Sequence, residues 1–188
     1  MMKKNKIFFI VNALHSKKNK NLKKLIRTKF LSEKYDVNIL ISEYKGHCIK
    51  LAEEAVEKKA NIVVACGGDG TVNEVGQSLI KKPVLLGVIP LGSGNGFARH
   101  FNIPRNLNYA LDIISKNFST TIDVGKINKR FFFSNFGLGV EAKFIEEYSK
   151  IKTRGLLGYI ISFFKIISTY KKQKIEIEFN TIRKKIFP

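Results

Sequence analysis

At 188 residues and 21.4 kDa the chain suits one ordinary domain, or one domain with part of another, and its 44% apolar content excludes global disorder. Lys and Arg number 34 against 15 Asp and Glu, so the net charge of +19 favours anionic partners: nucleic acid, an acidic membrane surface or phosphorylated ligands. The two cysteines lack metal-ligand spacing, Cys66 ends an apolar run as a buried thiol would, and so few cysteines fit a reducing cytoplasm with no disulfide framework.

In chain order, the start MMKKNKIFFIVN carries too short an apolar run for a secretory leader, and 6–12 (KIFFIVN) reads as a buried strand. Residues 21–31 (NLKKLIRTKFL) have helical spacing, 37–42 (VNILIS) is a strand, and 49–59 (IKLAEEAVEKK) a helix. A strand at 61–65, a helix at 72–80, a strand at 84–89 and a helix at 106–114 follow. Short β-rich runs alternating with amphipathic helices predict an α/β layered domain with a mostly parallel sheet. The character changes at 118–125: TTIDVGKINKRFFFSNFGLGVEAKF holds two strand-like runs joined at Asn128-Lys129, which suggests a hairpin opening a second, β-rich domain. A helix over 155–170 and an alternating strand at 174–179 (KIEIEF) complete it. The greasy stretch at 156–167 is interrupted by Lys165 and falls short of a bilayer span, so it reads first as a core helix of the second domain and otherwise as a membrane-surface segment.

Two glycine-rich stretches carry the chemistry. GGDGT lies between a strand and a helix, where ligands of parallel α/β sheets bind beyond the strands' carboxyl ends. Glycines let backbone N–H groups approach an anion, and the helix adds free N–H groups and the positive end of its dipole, so phosphate is the natural ligand. Thr71 can cap that helix or bond a phosphate oxygen. An aspartate beside phosphate is repulsive unless a cation bridges them, so Asp69 implies Mg²⁺ or a polar orienting role. The second stretch, PLGSGNGFARH, has glycines that fit neither G-x-G-x-x-G nor a P-loop. It can still clamp a nucleotide from the other side, with Ser93 and Asn95 hydrogen-bonding and Arg99 facing phosphate. The three histidines show no ligand spacing, so no protein-held metal is assigned to them.

Together GGDGTVNEV and PLGSGNGFAR resemble the catalytic domain of diacylglycerol kinases and related lipid kinases, over residues 6–174; GGDGT alone is shared with NAD kinases. The resemblance implies an NAD kinase/diacylglycerol kinase-like α/β nucleotide-binding domain at 1–120, then a β-rich lipid-substrate domain, here 121–188 and incomplete, with the active site in the cleft between them. It implies ATP with Mg²⁺ as cofactors and a hydroxyl of diacylglycerol or a similar lipid as acceptor. Carried over position by position, the nucleotide contacts are Asn12, Ser42, Gly67, Gly68, Asp69, Gly70, Thr71, Val72, Asn73, Ser93, Gly94 and Asn95, with Asp69 meeting the metal through Mg-nucleotide. Glu141 and Arg99 are the substrate-side candidates. Ala13 stands where the family has proline, and nothing after Lys174 resembles the late Asp-Gly-Glu segment holding the general base, so no catalytic base is assigned and weak or no turnover is expected of a partial kinase. The expected setting is cytoplasmic, peripheral on an anionic inner membrane face, with a homodimer left open. No aromatic or helix-turn-helix motif supports nucleic-acid binding. The rivals are a catalytically silent nucleotide- or lipid-binding module and an NAD kinase relative.

Overall fold

The computed structural model describes residues 4–16, 21–151, 156–170, 174–179 and 182–186. Four parallel strands form its sheet: β1 (Asn5–Val11), β2 (Tyr35–Ile41), β3 (Ile62–Gly67) and β4 (Leu85–Pro90), in the order β2-β1-β3-β4. The connections are α1 (Ala13–Ser16), α2 (Leu22–Lys29), α3 (His47–Glu57) and α4 (Asp69–Leu79); α5 (Gly96–His100) and α6 (Leu107–Ser115) follow β4. Strand alternation explains the layering, because successive side chains point to opposite faces. Ile7, Phe9 and Val11 of β1 pack with Leu22 and Ile26 of α2 and with Leu111 and Ile114 of α6. Phe8 and Ile10 pack on the other face with Leu51 and Ala55 of α3 and with Val75 and Leu79 of α4. Both faces are covered, so β1 and β3 read as nearly continuous apolar runs.

The chain divides into two compact units, Met1–Ser134 and Asn135–Pro188. The predicted hairpin forms as β5 (Gly125–Ile127) and β6 (Arg130–Phe132), with Asn128 at φ 51° in the turn. It belongs to the first unit rather than opening the second. Next to it in sequence, Phe133 lays its ring on Gly76 of α4, where an added Cβ would meet the ring at 2.4 Å.

Among its described residues the second unit combines helices with a hairpin. Its described residues form α7 (Val140–Lys150), α8 (Leu156–Thr169) and the hairpin β7 (Ile175–Phe179) with β8 (Ile182–Ile186). Gly155, expected to begin the second helix, lies outside the described residues. The strand-like NFGLGVEAKF turns helical after Gly139, whose φ of 61° and ψ of −120° side-chain-bearing residues avoid. Helices α7 and α8 are joined by charge: the Glu147 carboxylate meets Lys165 of α8 at 2.6 Å and Lys150 at 2.9 Å. The Lys165 and Lys150 ammonium groups hold the Glu147 carboxyl down to about 2, against an ordinary 4.5. Its contribution to stability is therefore complete above about pH 4.5 and is lost as pH falls through about 2. An acid titration followed by helix content is expected to show this loss between about pH 4.5 and about 2, and Glu147→Gln is expected to diminish it; a loss unchanged in the variant would assign it elsewhere.

Candidate functional site

The strand order reverses between β1 and β3, since β1 leads outward to β2 and β3 leads the other way to β4. In open parallel sheets the crevice at the carboxyl ends of such strands receives the ligand. At the end of β1, the Asn12 N–H donates to the Cys66 carbonyl at 3.0 Å, and its side-chain amide donates to Thr71 Oγ1 at 3.3 Å, spanning the crevice.

The GGDGT stretch is barely a loop. Strand β3 runs through Gly67 and α4 begins at Asp69, leaving only Gly68 between them. The N–H groups of Thr71 and Val72 both donate to the Gly68 carbonyl, which closes the first turn. Of the two roles open to Thr71, capping is not the one it takes: Gly68 holds that position without a side-chain bond, and Thr71 is buried against Gly67. A Cβ on Gly67 would sit 2.2 Å from Thr71 Oγ1. Val72 sends its side chain into the core, while Asn73 is half-buried on α4. Gly70 faces open space, with nothing within 4 Å of a Cβ built there. It lies in the helix's first turn, where N–H groups lack carbonyl partners inside the helix.

Asp69 joins this turn to the second glycine stretch. Its Oδ2 accepts from the Gly96 N–H at 3.0 Å and its Oδ1 from the Phe97 N–H at 2.9 Å, so the carboxylate heads α5 across a gap of 27 residues in sequence. The backbones also meet directly. Leu91 N–H donates to the Gly67 carbonyl at 2.9 Å, and a Cβ on Gly92 would lie 2.7 Å from Gly68 Cα. Asn95, buried and left-handed at φ 52°, closes its own loop: Oδ1 accepts from Gly92 N–H and Nδ2 donates to the Gly92 carbonyl. Ser93 and Gly94 remain exposed at the tip, and Arg99 is exposed on α5.

At the end of β2, Ser42 is buried and its hydroxyl accepts from the Ala13 N–H at 3.2 Å. It also neighbours Cys48, whose thiol burial pushes up in pKa. Glu74 of α4, which sequence reasoning left unassigned, accepts from the Gly46 N–H at 3.3 Å and ties the start of α3 to α4. Its only sequence signal was its place within GGDGTVNEV. Glu141 belongs to the second unit, exposed in the first turn of α7. Asn12, Gly67–Thr71 and Gly92–Asn95 thus come together, and Ser42 reaches them through Ala13. Among the described residues no group of three or more His, Cys, Asp or Glu could hold a metal ion. The arrangement offers backbone N–H groups, an exposed serine and open space above Gly70, which suits a polyanion.

Residues 6–127 match the family described as the diacylglycerol kinase catalytic domain. Diacylglycerol kinases of Staphylococcus aureus strains JH9 and Newman are each 33% identical over 151 residues, covering 78% of this chain and 48% of theirs. The chain spans about half the length of these curated relatives. The crystal structure of a diacylglycerol kinase from Bacillus anthracis str. Sterne superposes with a TM-score of 0.70 at 25% identity, covering 99% of this chain and 62% of that one.

Proposed function

The chain belongs to the diacylglycerol kinase catalytic-domain family, and we propose that it forms the ATP-binding part of a lipid kinase that passes the γ-phosphate to a hydroxyl of diacylglycerol or a similar lipid. The observation that carries this is the locked pair of glycine stretches at the strand-order reversal, with Asp69 holding both. Phosphates would lie over Gly70 and against the exposed tip at Ser93 and Gly94, where N–H groups and the α4 dipole neutralise charge without a side chain in the way. Arg99 would face the transferred phosphate, and Glu141, in the unit Asn135–Pro188, would meet the lipid headgroup.

The residues present fit nucleotide phosphates better than a free metal ion. Both Asp69 oxygens already accept an N–H, and Mg²⁺ is commonly held by one or two carboxylates plus the phosphates themselves. Mg²⁺ would accordingly arrive with ATP, where it supplies charge neutralisation on the transferring phosphoryl group. Asp69 would then position the loops and lend at most one further contact. Work at the cytoplasmic face of an anionic membrane follows from the substrate.

Two measurements test the reading together: titration with ATP, and transfer of labelled phosphate from ATP to a panel of lipids, comparing this chain with a longer form. Gly70→Ala separates folding from binding. It is expected to keep or slightly raise the thermal midpoint, because alanine favours helix over glycine by about 1 kcal/mol or less. It is expected to weaken ATP roughly tenfold or more by placing a methyl where the phosphates sit. Undiminished ATP affinity in that variant would put the phosphates elsewhere, and phosphorylation of NAD instead of lipid would move the chain to another substrate class.

A further inference from the structure

Helix α8 is apolar on the side that faces away from α7, where an ordinary surface helix is polar. On the side toward α7, Gly158, Ser162 and Ile166 are buried, Tyr159 packs on Phe144 and Tyr148, and Lys165 reaches the buried Glu147. The opposite side is a stripe of Leu157, Ile160, Phe164 and Ile167, all exposed, with Phe164 at 66%. Their spacing of three, four and three residues is that of one helix face. Exposed Ile161 and Phe163 widen it. Soluble surfaces seldom carry so continuous an apolar patch without a partner.

We infer that α8 is an interfacial docking helix whose Leu157–Ile160–Phe164–Ile167 stripe lies in the headgroup region of an anionic bilayer. Charge decides between this occupant and a second copy of the chain. Lys152 and Arg154 precede the helix, Lys171, Lys172 and Lys174 follow it, and no Asp or Glu occurs between Glu147 and Glu176. Stripe-to-stripe pairing of two copies, parallel or antiparallel, would bring basic ends together, whereas acidic lipid meets them with opposite charge. No helix among the described residues is long and apolar enough to cross a membrane, so α8 would lie in the surface plane. The inference rests on the lipid-kinase reading for its purpose, since the acceptor lipid resides in that surface, but not for its geometry.

The chain contains no tryptophan, so Phe164→Trp provides a single fluorescent reporter on the stripe. With vesicles of phosphatidylcholine and phosphatidylglycerol, free of diacylglycerol and nucleotide, its emission is expected to shift to the blue and to be quenched by brominated acyl chains. Pure phosphatidylcholine should bind far less, and added salt should weaken binding. Phe164→Glu with Ile167→Glu is expected to reduce vesicle partitioning roughly ten- to a hundredfold, with helix content by circular dichroism and ATP affinity unchanged. Lys171→Glu with Lys172→Glu should lower partitioning and flatten its salt dependence. The inference is overturned by absent partitioning of the unaltered chain, by partitioning indifferent to the stripe variants, or by a reporter already buried without vesicles in a monomer or dimer. Because neither lipid substrate nor nucleotide is present, such a result leaves the kinase reading standing, and failure of ATP binding would leave this inference standing.

Discussion

Asp69→Ala is expected to lower the thermal midpoint of the first unit by roughly 10 °C and to remove measurable ATP binding. The carboxylate accepts two backbone N–H groups at 3.0 and 2.9 Å, both at the start of a five-residue helix. Hydrogen bonds to a charged group contribute about 1.5–3 kcal/mol each, and a helix that short does not persist without tertiary support. Losing both would free α5 and with it the exposed Ser93–Gly94 tip proposed to meet the phosphates. Asp69→Asn is the sharper variant. It keeps one acceptor oxygen but turns an NH₂ donor toward the other N–H, so its midpoint should fall between those of the parent and the alanine variant. In a longer, catalytically active form it should abolish phosphoryl transfer, because loop positions off by about 1 Å cost orders of magnitude in rate. Calorimetric melts and ATP titrations of the three proteins read these outcomes. An alanine variant that melts like the parent would mean that the two bonds fasten nothing, and retained transfer in the asparagine form would remove Asp69 from the site.

This role for Asp69 shows what could be read in the sequence and what could not. The strands and helices of the first unit were legible because burial on both sheet faces writes itself as apolar runs, and IFFIV and IVVACG are too short and too rich in β-branched and aromatic residues to suit buried helices. The two glycine stretches were legible as strand-to-helix connections because they follow β3 and β4 at their carboxyl ends. Side-chain aims were not. That Asp69 would reach Gly96 and Phe97, that Asn95 would close on Gly92, and that Ser42 would turn its hydroxyl to Ala13 are partner choices set by loop geometry. No periodicity encodes them. The start of α4 was hidden by glycines, whose low helix propensity placed the expected boundary three residues late, whereas the tertiary contact with Gly92 holds the first turn in helix. Helix α7 was missed because Phe136, Val140 and Phe144 favour strands locally, and the Gly139 turn that commits the segment to a helix depends on backbone angles.

The glycine contact yields the second large effect, an ordered series. Gly92→Ala is expected to cost the first unit about 3 kcal/mol, the upper end for overpacking. Its Cβ would lie 2.7 Å from Gly68 Cα and 2.8 Å from Asn95 Oδ1, and the first of these is backbone that no rotamer change can move. The Leu91-to-Gly67 hydrogen bond prevents the two strands' ends from separating to make room. Gly68→Ala faces the same contact from the other side but at 3.3 Å, a distance that small backbone shifts relieve, so its cost should be smaller. Gly70→Ala meets nothing within 4 Å and should cost no stability at all. The loss of stability is thus greatest at Gly92, smaller at Gly68 and absent at Gly70. ATP affinity falls in all three, in the first two because the cradle is displaced and in the third because it is filled. Denaturant unfolding and ATP titration of the same three variants measure both orders. A Gly92 variant as stable as the Gly70 variant would mean that the two loops do not share a backbone contact, and a phosphate site built from both of them would then lose its foundation.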